Sequence, residues 1–319
     1  MRQFAPAVLF GACALIANPS HAAWPDDKPI QLYVGFAPGG GTDIMARTMA
    51  PFLQKYLGGR SSIVVLNKPG AASEISNTTL SRAAPDGYTI GVVNLPAMAF
   101  VPLYKKTLYN PDTLTLVARV LSDPTILVTR KDSPYNSLAD VVAALKAKPE
   151  SLSVGHNGVG TNGHLAILQL QNVAKVSLND IPYNGTAQSK TALLGGYVDF
   201  SAVTTGELPE PQKEAVPLKV IAQMSEQRST TFPDVPTARE QGYDDVMPAE
   251  RGIAAPPGLP QGIRDRLQAA IEATLKDPEY LQKAGNDAPV LAFLPGETWS
   301  KDIASRKEAL SELAKKMPK

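Results

Sequence analysis

A single cysteine, Cys13, occurs in the sequence. It falls inside an N-terminal apolar run, so the body of the chain has neither a disulfide nor a thiol nucleophile. Charge of one sign is also missing. Lys and Arg number 31 against 30 Asp and Glu, a net charge of +1, which argues against the basic footprint of a nucleic-acid binder. No apolar segment is long enough to span a membrane as a helix. Catalytic signatures are absent too: there is no G-x-S-x-G elbow and no H-E-x-x-H helix, and residues 155–161 lack the lysine a phosphate loop needs. Repeats, low-complexity linkers and long charge runs do not occur.

What is present begins with an export signal. Arg2 gives the charged start, Phe4 to Ile16 the short apolar run, and Ser20-His21-Ala22 a small-x-small cleavage site. The expected signal peptide is 1–22, with the mature chain starting at Ala23 in the periplasm. Phe10, three before Cys13, argues against lipidation of that cysteine. Losing Arg2 leaves the mature charges balanced, and the remaining length suffices for one large domain or two lobes.

Alternating strands and helices predict α/β architecture with largely parallel sheets. Strands are expected at Ile30 to Phe36, Ser61 to Leu66, Tyr88 to Val93, Thr125 to Thr129, Leu152 to Gly155, Leu218 to Ala222 and Gly252 to Ala255. Helices are expected at Ala71 to Ala84, Ser137 to Ala147 behind a Ser cap, His164 to Ala174 and Ala187 to Leu194. The helical tail is expected over Gln261 to Leu275, Pro278 to Ala284 and Trp299 to Lys316. Asn94 ends the third strand, on the edge where open α/β sheets take ligands.

Two glycine turns stand out. In FAPGGGTDIMAR (36–47), Gly39, Gly40 and Gly41 lie between a strand and a helix, with Thr42 or Asp43 expected as the N-cap. Glycines allow close backbone approach, and a free helix N-terminus attracts small anions. The second turn, GVGTNG at 158–163, contains Gly158, Gly160, Thr161 and Asn162. It satisfies the dinucleotide fingerprint, with Asp180 about twenty residues on. A nicotinamide enzyme is therefore a rival reading, opposed by the mid-chain position, the export signal and the first glycine turn. His156 and His164 have no evident carboxylate partner in the sequence and read as hydrogen-bonded loop residues. Asp244-Asp245 reads as solvated surface.

With both turns placed, the chain resembles the Bug-type periplasmic receptors of tripartite tricarboxylate transporters. The resemblance runs from Trp24-Pro25 through FAPGGGTDIMAR, Asn67-Lys68-Pro69-Gly70-Ala71 and Pro85-Asp86-Gly87-Tyr88-Thr89. It continues through GHNGVGTNGH (155–164), PYNGTAQS (182–189) and Leu194 to Asp199. Phe232 to Thr237 and Ala255 to Pro260 complete it. It implies a type II periplasmic-binding fold of two α/β lobes joined by hinge strands: 23–124 with 245–319 as lobe 1, and 125–244 as lobe 2. Crossings are expected near 122–125 and 243–251. The implied function is capture of a small organic acid and delivery to integral membrane permease subunits, by a monomer without catalysis, cofactor, metal or nucleic acid. The loops carried over by position are Gly39 to Asp43 and Gly158 to Asn162. An exported dinucleotide-dependent enzyme and a ligand-sensing module for a membrane signalling partner remain the alternatives. Two departures from the family pattern stand out. Gly70-Ala71-Ala72-Ser73 replaces a Gly-Ala-x-Gly turn, and Arg251 lies where many members carry an aromatic residue before Gly252. Arg251 either clamps a second carboxylate or pairs with Glu250 or a surface acid.

Overall fold

The computed structural model describes residues 24–208 and 217–317. The expected signal peptide, with Cys13 and the cleavage point before Ala23, lies outside the described residues. No helix among the described residues is long and apolar enough to cross a membrane.

Strands and helices alternate from the start. β1 (Ile30–Val34), α1 (Gly41–Leu57), β2 (Ile63–Asn67), α2 (Glu74–Ser81), β3 (Thr89–Leu95) and α3 (Ala97–Tyr104) come first. β4 (Thr115–Arg130) then runs for 16 residues. Next come α4 (Leu138–Ala147), β5 (Ser153–His156), α5 (Asn162–Ala174), β6 (Asn179–Pro182), α6 (Thr186–Leu194), β7 (Phe200–Thr204) and β8 (Leu218–Met224). β9 (Pro248–Ala255), α7 (Gln261–Lys276), α8 (Pro278–Ala284), β10 (Leu291–Pro295), α9 (Gly296–Ser305) and α10 (Lys307–Ala314) follow.

The strands make two sheets on one plan. The first runs β2-β1-β3-β9-β4 with β10 beyond, and the second β6-β5-β7-β4-β8. In each, three parallel strands in the order second-first-third meet an antiparallel strand arriving from the other sheet, β9 in the first and β4 in the second. This is the doubled α/β plan that the resemblance implies. β4 belongs to both sheets. Residues 115–124 pair with β9, and residues 125–130 pair with β7 and β8. At the change-over Thr125 N–H bonds Met247 O (3.3 Å), and Met247 N–H bonds Met224 O (3.0 Å), so the two connecting chains lie side by side.

Each sheet has its own core. Ile30, Leu32, Met45, Met49, Leu53, Ile90, Ile253 and Ile271 fill the first; Leu127, Val141, Val154, Leu165, Leu170 and Phe200 fill the second. Burying each large side chain contributes about 1.5–3 kcal/mol. Phe100 of α3 and Leu313 of α10 belong to the second core, so two helices pack where the halves meet.

Several sequence expectations shift. The Ser cap of α4 is present as a capping box: the Ser137 hydroxyl accepts from Asp140 N–H, and Asp140 accepts from Ser137 N–H. The N-cap of α1 is Gly40, with Thr42 and Asp43 inside the first turn. The tail helix expected over Trp299 to Lys316 breaks into two at Arg306, whose guanidinium turns to Asp302 and Glu250. Helix α2 starts at Glu74 rather than Ala71, because Ala71, Ala72 and Ser73 take φ of 48°, 53° and 69°. Left-handed backbone costs an L-residue roughly 1–2 kcal/mol, so the missing glycine of this turn leaves strain behind.

Replacing Ala72 with glycine should relieve part of that strain. Ala72→Gly is expected to raise unfolding stability by about 0.5–1 kcal/mol, net of the added unfolded-chain entropy. Urea denaturation read by tryptophan fluorescence checks this, and an unchanged or lower midpoint would contradict it.

Candidate functional site

β1, β5 and β6 each lead into a helix whose first turn is uncapped. The N-caps Gly40, Thr161 and Gly185 make no side-chain capping bond. The first amides to find backbone acceptors are Asp43 to Gly40 O (3.0 Å), Leu165 to Thr161 O (2.9 Å) and Ser189 to Gly185 O (3.4 Å). Among the described residues the amides of each first turn ahead of these are left without an acceptor, and the helix dipole adds partial positive charge at each start. All three helix starts line one cavity of about 130 Å³. Gly40, Gly41 and Thr42 come from α1, Asn162 from α5, and Thr186 to Gln188 from α6. Asn94, Asn157, Asn184, Glu207 and Arg251 supply the remaining polar wall. Two wider spaces flank it. One of about 450 Å³ is bordered by Gly39, Lys190, Lys283 and Asp287. The other, about 250 Å³, is bordered by Ala71, Ala72, Tyr104 and Gly158.

Of the residues expected from sequence, Gly40, Gly41, Thr42, Asn94, Asn162 and Arg251 meet at the central cavity. The other five do not reach it. Asp43 is buried beneath the loop. Its carboxylate accepts from Gly39 N–H (3.0 Å), Arg47 Nε (3.0 Å) and Asn67 Nδ2 (2.8 Å). Burial raises its pKa, but those donors outweigh burial and hold it below the usual value. Asp43 is a brace for the turn. Thr161 is a second brace, its hydroxyl donating to Asn157 Oδ1 and Gly158 O. Gly160, at φ +85°, is where the turn packs on α3: a Cβ there would lie 3.0 Å from Val101 and 3.2 Å from Phe100. Gly39 and Gly158 border only the flanking spaces.

Asn157, Asn184, Thr186 to Gln188 and Glu207 are site residues that the sequence reading does not single out. The Asn184-Gly185 pair before a helix is the available signal, the same strand-glycine-helix grammar as in the other two turns. Glu207 follows a five-residue strand, β7, that is buried along its whole length. It carries no alternation to read.

The most highly charged region of the wall is buried. Arg251, 2% exposed, stands opposite Asn94 in the β3–β9 register. Its Nη2 donates to Glu207 (3.0 Å), and its Nη1 lies 3.9 Å from Asp287. The expected alternative of a Glu250 pairing does not hold, because successive strand residues face opposite ways. Glu250 accepts instead from Arg119, Trp299 and Arg306. Gly41 covers the Arg251–Glu207 pair: a Cβ there would lie 2.9 Å from Arg251 Nη2 and from Glu207 Oε1. Burial opposes the Arg251 charge, yet Glu207, Asp287 and Asp123 together keep its pKa raised. Asp123, fully buried, accepts from Thr205 Oγ1 (2.6 Å) and Gly206 N–H (3.1 Å). Asp287 has no such donors among the described residues. Burial pushes its pKa up to about 7 against the pull of Arg251.

Two further expectations are corrected. His156 and His164 do have a carboxylate: Asp180 Oδ2 lies 3.5 Å and 3.7 Å from their Nε2 atoms. Gly160 N–H points at His164 Nδ1 (3.1 Å), which leaves the ring proton on Nε2 facing Asp180. The trio braces the second turn, and the His164 lone pair is taken by the backbone rather than offered to a cation. Burial, then the neighbouring His156, pushes the His164 pKa down to about 4, against the pull of Asp180. Asp245, expected at the solvated surface, is fully buried, and burial raises its pKa well above the usual value.

Residues 45–291 match the family model described as the tripartite tricarboxylate transporter family receptor. The protein BugT of Bordetella pertussis is 32% identical over 295 residues, matching 89% of this chain and 88% of its own. A second relative from the same organism is 31% identical over 278 residues, matching 86% of this chain and 85% of its own. The structure of the periplasmic binding protein BugD superposes with a TM-score of 0.81 at 31% identity, covering 90% of this chain and 97% of its own. MatC of Rhodopseudomonas palustris, with bound malate, gives 0.79 at 28% identity over 90% and 98%. A second R. palustris protein, with adipate, gives 0.82 at 25% over 91% and 98%.

The Asp287 carboxyl makes stability depend on pH. Its folded pKa lies above the unfolded value of 3.8, so the protonated form is the one folding favours. The contribution is complete below about pH 4 and is lost as pH rises through about 7, on the order of 1 kcal/mol per pH unit. Asp287→Asn should flatten that decline between pH 4 and 7 in urea titrations. An unchanged pH slope would show that another group carries the proton.

Proposed function

Because this chain belongs to the tripartite tricarboxylate transporter receptor family, we propose that it captures a small organic acid in the periplasm and passes it to permease subunits in the membrane. The signal peptide over 1–22 exports it. The lobes 23–124 with 245–319, and 125–244, close as a monomer about the crossings near 122–125 and 243–251, and the ligand leaves unchanged.

One observation carries the reading: uncapped helix starts from both halves, α1 from one and α5 and α6 from the other, face a single small cavity. A carboxylate there accepts amide hydrogens that no acceptor among the described residues takes, next to three positive helix ends. A hydrogen bond to a charged group contributes about 1.5–3 kcal/mol. Four or five, set against association costs, are consistent with micromolar affinity, about −8 kcal/mol. Closure lowers the local dielectric and strengthens each bond. Malate in MatC and adipate in its R. palustris relative support a carboxylate as the ligand class. Gly39, Asp43, Gly158, Gly160 and Thr161 shape the turns, while Gly40, Gly41, Thr42, Asn94, Asn162 and Arg251 face the ligand.

Gly40 offers the sharpest test. It has ordinary extended φ, and the nearest atom to an added Cβ is Ala37 O at 3.5 Å, so valine fits the fold while filling anion space. A thermal-shift screen of organic acids should find at least one stabiliser. Gly40→Val should weaken that ligand at least tenfold by calorimetry with an unchanged unliganded melting temperature. Full affinity in the variant would remove this loop from the site, and consumption of the ligand would replace the receptor with an enzyme.

A further inference from the structure

We infer that the ligand is a zwitterion of the amino-acid type, its carboxylate at the helix starts and its ammonium at Glu207 and the Asn94 amide oxygen. This rests on the receptor reading above and narrows its ligand class. The cavity wall is uneven. The three helix starts offer donors, whereas the wall around Arg251 offers acceptors. Glu207 lines the space with a side chain only 7% exposed, its carboxylate already ordered by Thr204 N–H (3.0 Å) and Arg251 (3.0 Å). Asn94 donates its Nδ2 to Thr42 Oγ1 (2.9 Å), which turns the amide so that its Oδ1 is buried without a donor among the described residues.

Charge bookkeeping points the same way. Around the single Arg251 guanidinium stand three carboxyl groups, those of Glu207, Asp287 and Asp123. The lysines bordering the adjoining space are engaged elsewhere: Lys190 Nζ donates to Glu207 O, and Lys283 pairs with Glu279. A second carboxylate on the ligand would bring a further anion beside Glu207 and beside Asp123 and Asp287, whose pKa values burial already pushes up. An ammonium pairs with the Glu207 carboxylate and supplies three donors where two acceptors wait, while a hydroxyl supplies one and no charge. Arg251 acts here by holding Glu207 in place. The rival occupant, a diacid, would instead need Nε and Nη1 of Arg251, both buried without partners among the described residues.

Matched ligand series separate the two. Calorimetry would compare L-alanine, L-lactate and propionate; L-aspartate, L-malate and succinate; and L-phenylalanine, phenyllactate and 3-phenylpropionate. In whichever series binds, the amino acid should be at least tenfold tighter than the deaminated acid, with the hydroxy acid between. Glu207→Gln, isosteric and checked by its melting curve, should erase the preference and improve binding of the deaminated acid as Arg251 is released. Asn94→Ala should weaken the amino acid several-fold more than it weakens the deaminated acid, a readout that survives if the Glu207 variant does not fold. A deaminated acid as tight as the amino acid in the unmodified protein, or a preference that persists in Glu207→Gln or Asn94→Ala, overturns the inference and leaves the receptor standing. Binding by none of the nine acids overturns the inference together with the carboxylate reading beneath it.

Discussion

One strand serves two sheets, and the cleft depends on that continuity. Residues 115–124 of β4 are locked to β9, and residues 125–130 to β7 and β8, so the second sheet is hung from the first by one continuous strand. Asp123 and Pro124 sit at the change-over. Pro124 has no N–H to give to either sheet, and Asp123 turns its carboxylate to the backbone and hydroxyl of Thr205-Gly206. The loop that carries Glu207 is thereby tied to the crossing strand. Arg251 reaches the same place from β9, the strand that follows the second crossing at Met247. The ion pair lining the cavity thus joins β9 to a loop that the crossing strand holds.

Putting these charges out of water is expensive, and the arrangement shows how the cost is contained. A buried ion pair stabilises only when its remaining donors and acceptors are met. Glu207 accepts from Thr204 N–H and Arg251, and Asp123 from Thr205 and Gly206, whereas Asp287 has no such donor among the described residues; burial raises the pKa of both aspartates. Glu250, on the opposite face of β9, is satisfied three times over, by Arg119, Trp299 and Arg306, and anchors the C-terminal helices to the first sheet. Neighbouring charged residues on one strand therefore do unlike work: Glu250 is held in structure, while Arg251 beside it retains donors without partners among the described residues.

The turns around the cleft are held from beneath, leaving their upper faces open. Asp43 grips the first from below through Gly39, and Asp180 with the two histidines grips the second. Thr161 closes the same loop on itself. The strained run at Ala71 to Ser73 lies on the wall of a flanking space, where the chain departs from the glycine pattern of its family.

The sequence by itself determined the alternation of strands and helices, the two glycine turns and the family, because short-range grammar writes these. A glycine between an apolar strand and a helix means the same thing wherever it occurs. It also named six of the residues that meet at the central cavity. It could not say which polar residue near a turn faces the ligand and which faces down. Thr42 and Asp43 are neighbours with opposite fates, decided by whether Arg47 and Asn67 stand below. β7 was invisible because a strand buried on both faces has no period of two, and Glu207 was lost with it. The length of β4 was hidden by Arg119, Ser122, Asp123 and Pro124, which only the pairing of two sheets makes tolerable. Burial of Asp245, the Asp180 brace and the acids gathered around Arg251 came from tertiary structure alone. Desolvation and charge pairing depend on what stands across a few ångströms of space. Residues as far apart in the chain as Asp123, Glu207 and Asp287, all gathered around Arg251, carry no trace of that in their order.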